Sequence, residues 1–455
     1  MKKEIRNIVC IGAGYVGGPT MAVIADRCPD INVSVVDLNE ARIAAWNSDR
    51  LPVFEPGLDQ VIARTRGRNL SFMGQAHGAE VVAQADAVFI SVNTPTKKSG
   101  AGAGKASDLN FVESCARYIA EHATGHTIVI EKSTMPVRAA DSIKRILSTS
   151  RKGASFDVLS NPEFLAEGTA IRDLEKPDRV LIGGEDVDAI EALAAIYRRW
   201  VPDASVLRTG LWSAELSKLA ANAFLAQRVS SINAISALCE ATEADVEEVA
   251  LVLGSDSRIG SKFLKSSVGF GGSCFKKDLL SLIYLCEFYQ LPVPAAYWQG
   301  VLDINEWQKS RFAHMASRHA KAGGGVAAVL GLAFKKNTND FRESPAIDIC
   351  NQLLAAGVRL RLQDERVTRE AFGEQISDEL GVGWSFFNDV EQAVNGADVI
   401  LVLTEWERYA TLDWAALART ATKGAAILDG RSIVDVGQAR EAGFKVFAVG
   451  KGPAP

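Results

Sequence analysis

Short β-branched and aliphatic runs recur through the first two hundred residues: NIVCIG at 7–12, VSVVD at 33–37, AVFISV at 87–92, TIVIEKST at 127–134, DVLSNPE at 157–163 and RVLIGG at 179–184. They lack the strict apolar–polar alternation of a strand with one wet face. Runs of this kind suit strands buried on both faces of a parallel sheet. Helical stretches separate them, which predicts βαβ units and a doubly wound sheet.

The texture changes at Trp212. Residues 212–242, WSAELSKLAANAFLAQRVSSINAISALCEAT, contain no proline or glycine and are rich in Ala, Leu, Glu and Lys. They predict one long helix, well above the globular mean of about 11–12 residues. A helix of that length bridges domains or forms a subunit interface. More helices follow, interrupted by the glycine loop SVGFGGSCFKKD at 267–278.

After AGGG at 322–325 the alternation resumes with VAAVLGLAF, VRLRLQD, ADVILVLTEW, AAILDG and KVFAVG. In both halves a strand–glycine–helix start leads to a strand that ends in an acidic residue. The predicted architecture is α/β: two Rossmann-like parallel-sheet domains, 1–211 and 323–455, joined by a long central helix and helical middle domain, 212–322.

Bulk composition narrows the partners. The chain has 455 residues, 47% hydrophobic and 23% charged, with a net charge of −5. An acidic balance gives no reason to expect nucleic acid or an anionic membrane. An anionic ligand therefore has to be held by local lysines and arginines. The seven cysteines are scattered without a CxxC pair, which points away from zinc or a disulfide framework and toward a reducing cytosol. The start, MKKEIRNIVCIGAGYVGG, mimics a signal peptide. Arg6 and Asn7 leave too short an apolar stretch, so it reads as strand and turn. No run approaches the roughly 20 apolar residues of a membrane helix. The expectation is a soluble, cytoplasmic protein without membrane or metal.

Candidate chemistry begins at IGAGYVGG, where Gly12, Gly14 and Gly17 form GxGxxG between a predicted strand and a predicted helix. The glycines permit the tight turn, close approach of a pyrophosphate and helix–strand packing, and the helix N-terminus faces the phosphates. Asp37 closes the second strand at the spacing of a ribose-binding carboxylate, which favours NAD over NADP. Arg42 either covers the adenine or pyrophosphate or is a solvated helix residue. Thr94, Ser133 and Thr134 end later strands, where ligands collect, or are ordinary strand-end caps.

Four further groups carry reactive chemistry. Glu163 and Glu167 stand four apart in NPEFLAEGTA; on a helix they would share a face and repel, and like charge or burial raises a carboxyl toward the range of a general base. The flanking Asn161-Pro162 and Gly168 mark a loop at a strand end, where the two are either such a base or simply exposed glutamates. Lys218 and Asn222 are the polar exceptions on an apolar face of the long helix, suited to an oxyanion or, for the lysine, to snorkelling. His122 and His126 stand at a helix end and suggest no metal site. Cys274 sits on flexible glycines beside lysines, where it is either an accessible thiol whose thiolate positive charge favours or an ordinary, inert loop cysteine. A thiolate that attacks an aldehyde, loses a hydride and is released by water would carry out covalent redox chemistry.

The chain resembles the UDP-glucose 6-dehydrogenase family over nearly its whole length. The resemblance rests on IGAGYVGGPT, VVDLNEARIAAWN, LPVFEPGL, FISVNTPT, EKSTMPVR, LSNPEFLAEGTAIRDL, PDRVLIGG, ELSKLAANAFLAQRVSSINAISALCE, GFGGSCFKKD, FKKNTNDFRESPAI, TEW and DGR. SRIG at 257–260 and Lys276, where much of the family has proline, are similar to its animal and plant branch. The resemblance implies two NAD-dependent oxidations at C6 of UDP-glucose, giving UDP-glucuronate. It implies Cys274 as nucleophile, Glu163 as base, Lys218 and Asn222 as oxyanion donors, and Asp278 with Thr134 at a water or shared proton. It places Gly12, Val16, Asp37, Arg42, Thr94, Ser133, Glu167 and Arg342 at NAD, with Lys277 near them. Arg258, Lys265, Phe334, Lys335 and Arg431 would hold the nucleotide-sugar, Glu163, Lys218 and Asn222 its reacting end. It further implies a homo-oligomer, with dimers through the long helix and hexamers in that branch, where Arg258 would reach a neighbouring subunit. Two alternatives stay open: an enzyme for another UDP-sugar such as an N-acetylhexosamine, and a non-catalytic binding protein.

Overall fold

The computed structural model describes residues 4–150, 153–320, 324–374 and 383–452; the expected boundary at 322–323 falls outside them. The chain forms two compact units. The first takes residues up to Ala221 together with Leu280–Tyr289, and the second takes Asn222–Leu279 and the residues from Gln290 onward.

In the first unit eight strands form one sheet: β1 (Asn7–Ile11), β2 (Asn32–Asp37), β3 (Leu70–Gly74), β4 (Ala87–Ile90), β5 (His126–Glu131), β6 (Ser155–Ser160), β7 (Val180–Gly183) and β8 (Val206–Thr209). Their order is β3-β2-β1-β4-β5-β6-β7-β8, parallel except where β7 meets β6. Cores lie on both faces, as the continuous apolar runs predict. Ile8 and Cys10 pack with Trp46 on one side while Val9 packs with Ile119 on the other, the period-two alternation of a strand.

The second unit holds β9 (Val326–Leu330), β10 (Arg359–Gln363), β11 (Trp384–Phe386), β12 (Val399–Val402), β13 (Ala426–Asp429) and β14 (Lys445–Ala448), in the order β11-β10-β9-β12-β13-β14 and all parallel. All eleven predicted runs are strands. The three that sequence missed, β3, β8 and β11, are sheet edges. Their residues alternate with solvent or stay half-exposed, so no continuous apolar run marks them, whereas every residue of β4, β7, β12 and β13 is buried.

The long helix runs from Leu211 to Thr242, 32 residues, one residue beyond the predicted start. It stops at Glu243, whose φ of 61° places a non-glycine residue in the left-handed region that ends helices. Helices Val246–Ser255, Phe275–Phe288 and Pro292–His319 follow, the last opened by a proline whose missing N–H is no loss there. Among the described residues no helix is long and apolar enough to cross a membrane.

Each sheet changes strand order at one place, between β1 and β4 and between β9 and β12. Ligands gather beyond the carboxyl ends of strands at such points.

Candidate active site

At the first switch point β1 is followed by Gly12, whose φ is 112° and whose added Cβ would lie 2.2 Å from the Ser91 carbonyl oxygen. Gly17, opening the helix Gly17–Arg27, has no room either: a Cβ would meet the Gly12 oxygen at 2.0 Å. Gly14 differs. Nothing lies within 4 Å of a Cβ there, so no protein atom demands glycine at that position. A backbone kept bare toward open space, before a helix N-terminus, fits a pyrophosphate. Val16 is that helix's N-cap residue.

Asp37 is buried at the end of β2, where Oδ2 accepts from Ala13 N at 2.8 Å and Oδ1 from Asn39 N at 2.9 Å. Arg42 Nη1 lies 3.0 Å from the same Oδ2. Arg42 is thus paired with Asp37 while its side chain keeps 39% of its surface open to solvent. Across the strand ends Thr94 Oγ1 donates to the Thr134 carbonyl at 3.0 Å and Ser133 Oγ to the Val92 carbonyl at 2.6 Å, so these hydroxyls tie the loops after β4 and β5 together.

The second switch point repeats the first. Gly331, with φ 96°, follows β9, and Asp364 follows β10 with Oδ2 accepting from Leu332 N at 2.6 Å and Ala333 N at 3.1 Å. Here the carboxylate is fully occupied, because Trp406 Nε1 also reaches Oδ2, and Arg366 N and Val367 N reach Oδ1. An acceptor so saturated has no lone pair left for a ribose hydroxyl. The two domains share a turn but not a ligand.

Residues 161–166, after β6, are loop rather than helix, so Glu163 and Glu167 do not form an i,i+4 pair. Burial pushes the Glu163 carboxyl up, but the Lys132 ammonium 2.8 Å from Oε2 and the Phe164 and Leu165 amides on Oε1, at 2.8 and 3.0 Å, outweigh it and hold the group below the ordinary carboxylate range. The expected upward shift is therefore corrected: Glu163 stands ready as an anion. Lys132, 3% exposed, also reaches Asn161 Oδ1 and the Tyr197 hydroxyl. Glu55 braces the same loop by accepting from Gly168 N and Ala170 N; Glu167 is half-buried on it. Arg179 and Lys218 both lie over the Phe164 ring, at 4.0 and 5.1 Å. Lys218 and Asn222 are both buried on the long helix, as the apolar face predicted.

In the second unit Cys274 is exposed while the other six cysteines are buried. It precedes the 14-residue helix Phe275–Phe288, whose N-terminal amides favour an anion. The next turn carries Asp278, 0% exposed, with Oδ2 2.6 Å from Asn222 Nδ2 and Oδ1 2.7 Å from Lys277 Nζ. Gly271 and Phe275, on either side of Cys274, line a cavity of about 240 Å³ with Phe263, Lys265, Phe334, Lys335, Glu405 and Arg431. Three cations in one cleft of a net-acidic protein suit a diphosphate. Arg431 Nε and Nη2 donate to the Leu403 and Phe334 carbonyls at 2.7 and 2.9 Å, which fixes the guanidinium at the cleft wall.

Three segments of the chain, 6–201, 212–307 and 328–436, match the profiles of the UDP-glucose/GDP-mannose dehydrogenase family: its NAD binding, central and UDP binding domains. The chain is 52% identical to UDP-glucose 6-dehydrogenase 1 of Oryza sativa subsp. japonica and 51% identical to UDP-glucose 6-dehydrogenase 1 of Arabidopsis thaliana, in each case over 98% of this chain and 97% of the relative. A solved UDP-glucose dehydrogenase from Pyrobaculum islandicum superposes with a TM-score of 0.87 at 31% identity, covering 99% of this chain and 98% of that one. This chain belongs to the UDP-glucose/GDP-mannose dehydrogenase family. It is a dehydrogenase, and its cofactor is NAD.

Within the family's NAD binding domain, the structure gathers Gly12, Gly14, Val16, Gly17, Asp37 and Arg42 at one switch point and Thr94, Ser133 and Thr134 at the adjoining strand ends. Within the second unit it gathers Lys265, Phe334, Lys335 and Arg431 around one cavity, and Asn222, Lys277 and Asp278 into one cluster. Arg258 does not line that cavity; it is exposed and paired with Asp256 Oδ2 at 2.5 Å. Arg342 is held by Asp340 at 2.8 and 2.6 Å. Sequence reasoning missed Lys132, Asn161, Tyr197 and Glu55. A signal for Lys132 was present: Glu131-Lys132 ends an otherwise apolar buried strand, where a charge needs a partner.

Proposed function

We propose that this chain oxidises C6 of UDP-glucose by four electrons, giving UDP-glucuronate and reducing two NAD per sugar. The observation that carries the reading is the exposed Cys274 at a helix N-terminus, its neighbours Gly271 and Phe275 lining the cationic cavity. NAD, when bound, accepts a hydride in each oxidation. Loss of the first hydride and of the hydroxyl proton gives a C6 aldehyde, with Lys218 and Asn222 as donors to its developing oxyanion. The Cys274 thiolate adds to the aldehyde carbon to form a thiohemiacetal, and loss of the second hydride leaves a thioester. Water, activated by the Glu163 carboxylate, attacks the acyl carbon, the C–S bond breaks, and the acid and thiolate separate. Asp278 and Thr134 serve at the water and its proton. Lys265, Lys335 and Arg431 take the diphosphate and Phe334 the apolar part of the nucleotide-sugar; Glu167, Lys277 and Arg342 serve NAD.

Exposed Trp212, Leu216, Phe224, Ile235 and Leu238 on the long helix support a homodimer as the assembly unit. Arg258, exposed and away from this chain's cavity, fits a role toward a neighbouring copy. Measuring NADH formed per UDP-glucose consumed tests the scheme: two is the expected result, and one would end the chemistry at the aldehyde. Turnover of a UDP-N-acetylhexosamine faster than UDP-glucose would move the chain to the alternative substrate. Glu163→Gln is expected to accumulate a thioester on Cys274, seen as an intact-mass increase.

A further inference from the structure

Lys132 has no part in the chemistry just described, yet it is among the most buried charges in the first unit. Its ammonium has three partners, Glu163 Oε2 at 2.8 Å, Asn161 Oδ1 at 3.2 Å and the Tyr197 hydroxyl at 3.3 Å, one for each N–H. Tyr197 in turn donates to Asn161 Oδ1 at 2.6 Å, and Asn161 Nδ2 donates to the Leu181 carbonyl at 2.8 Å. Tyr197 and Asn161 are thereby tied to each other and to the backbone of β7. Of the partners only Glu163 carries the opposite charge, and a buried ammonium without one is costly.

The same contacts immobilise the carboxylate. Oε1 is held by two backbone amides and Oε2 by Lys132, while the side chain keeps 15% of its surface open. Its accessible acceptor position is thus on a group that can neither rotate nor swing away. The other charged groups on or against this loop are Arg179 and Lys218, which lie over the Phe164 ring, Glu167 on the loop itself, Glu55, which accepts from Gly168 N and Ala170 N, and Asp173, which accepts from Ala166 N.

We propose that Lys132 is the positioning residue of the hydrolytic step, fixing both the charge and the direction of the Glu163 carboxylate. The inference rests on Glu163 being the base in the reading above. During hydrolysis water gives its oxygen to the acyl carbon and one proton to Glu163, the C–S bond breaks, and the electron pair leaves on sulfur. Protonated Glu163 leaves Lys132 facing a neutral partner in a buried site. That imbalance returns the proton to the departing thiolate or to solvent and resets the base.

The test is the pH dependence of thioester hydrolysis, followed by mass in single turnovers of the intact enzyme with UDP-glucose and NAD. In the unaltered enzyme the acid limb is expected below the ordinary carboxyl range. In Lys132→Met it is expected at higher pH, with hydrolysis at neutral pH slowed ~10-fold or more, within the reach of general-base effects. Lys132→Arg, which keeps the charge, is expected to return the limb toward its original position. Coincident limbs in the unaltered enzyme and Lys132→Met would overturn the proposal, as would a loss that is the same at every pH. If Lys132→Met does not fold, the unaltered enzyme alone decides: an acid limb near neutrality overturns it. Failure of the underlying reading looks different, since then Glu163→Gln accumulates no thioester at all.

Discussion

Asn222 Nδ2 stands 2.6 Å from Asp278 Oδ2, joining the long helix to the turn that follows Cys274. Asp278 is fully buried, and its other oxygen is taken by Lys277 at 2.7 Å. A buried carboxylate needs such donors, because burial without them costs far more than any single bond returns. The Cys274 carbonyl accepts from Asp278 N at 2.9 Å, so the pair also anchors the first helical turn behind the thiol.

Asn222→Ala removes one of these donors and is expected to cost about 1–3 kcal/mol of stability while lowering turnover. Asn222→Asp, which sets a second carboxylate against the first, is expected to cost more. Thermal unfolding and the NADH rate measure the two effects; an alanine variant as stable and as fast as the parent would remove the pair from both roles.

Exposure sorts the seven thiols. Native enzyme treated with iodoacetamide is expected to gain one adduct per chain, mapped to Cys274 by peptide mass, with parallel loss of activity. Burial pushes the Cys10, Cys28 and Cys115 thiols up, the last two to about 11 and about 12, which slows their alkylation further. Modification of those before Cys274 would contradict the site.

The glycines of the fingerprint separate fold from ligand. Gly14→Ala has open space for its methyl and is expected to fold normally while binding NAD more weakly. Gly17→Ala meets a carbonyl at 2.0 Å and is expected to lose at least the ~1–3 kcal/mol of an overpacked core. Melting temperatures and NAD titrations together distinguish the two.

At the end of β5, burial first and the neighbouring Glu215 carboxyl second push Glu131 well above its ordinary value. Glu215 is raised by burial too, although the Arg138 and Ala140 amides, at 2.7 and 3.0 Å, oppose the rise. The folded state therefore binds a proton that the unfolded chain has released. Stability from this site is present below the ordinary carboxyl value of 4.5 and declines as pH rises from there through the higher native value. Glu131→Gln, which mimics the protonated form, is expected to flatten that decline in unfolding free energy measured across the range. A slope unchanged by the substitution would place the effect elsewhere.

For the cofactor, Asp37→Ala is expected to weaken NAD and narrow its advantage over NADP, because the Arg42 guanidinium loses the carboxylate it now faces at 3.0 Å. Initial rates with each dinucleotide measure this; an unaltered preference would take Asp37 out of ribose recognition.

Local chemistry determined much of this protein. Strands buried on both faces announce themselves as apolar runs, a proline-free segment as a long helix, and glycines with an acidic partner as a dinucleotide turn, because each depends on residues near in sequence. The loop cysteine was legible for the same reason. Tertiary structure decided the rest. Edge strands β3, β8 and β11 carry half-wet patterns that only pairing with β2, β7 and β10 turns into sheet. The charge state of Glu163 depends on Lys132, 31 positions earlier, and neighbouring segments suggested the opposite shift. Electrostatic energy falls with distance in space and takes no account of distance along the chain, so that sign became readable only once β5 and β6 lay side by side.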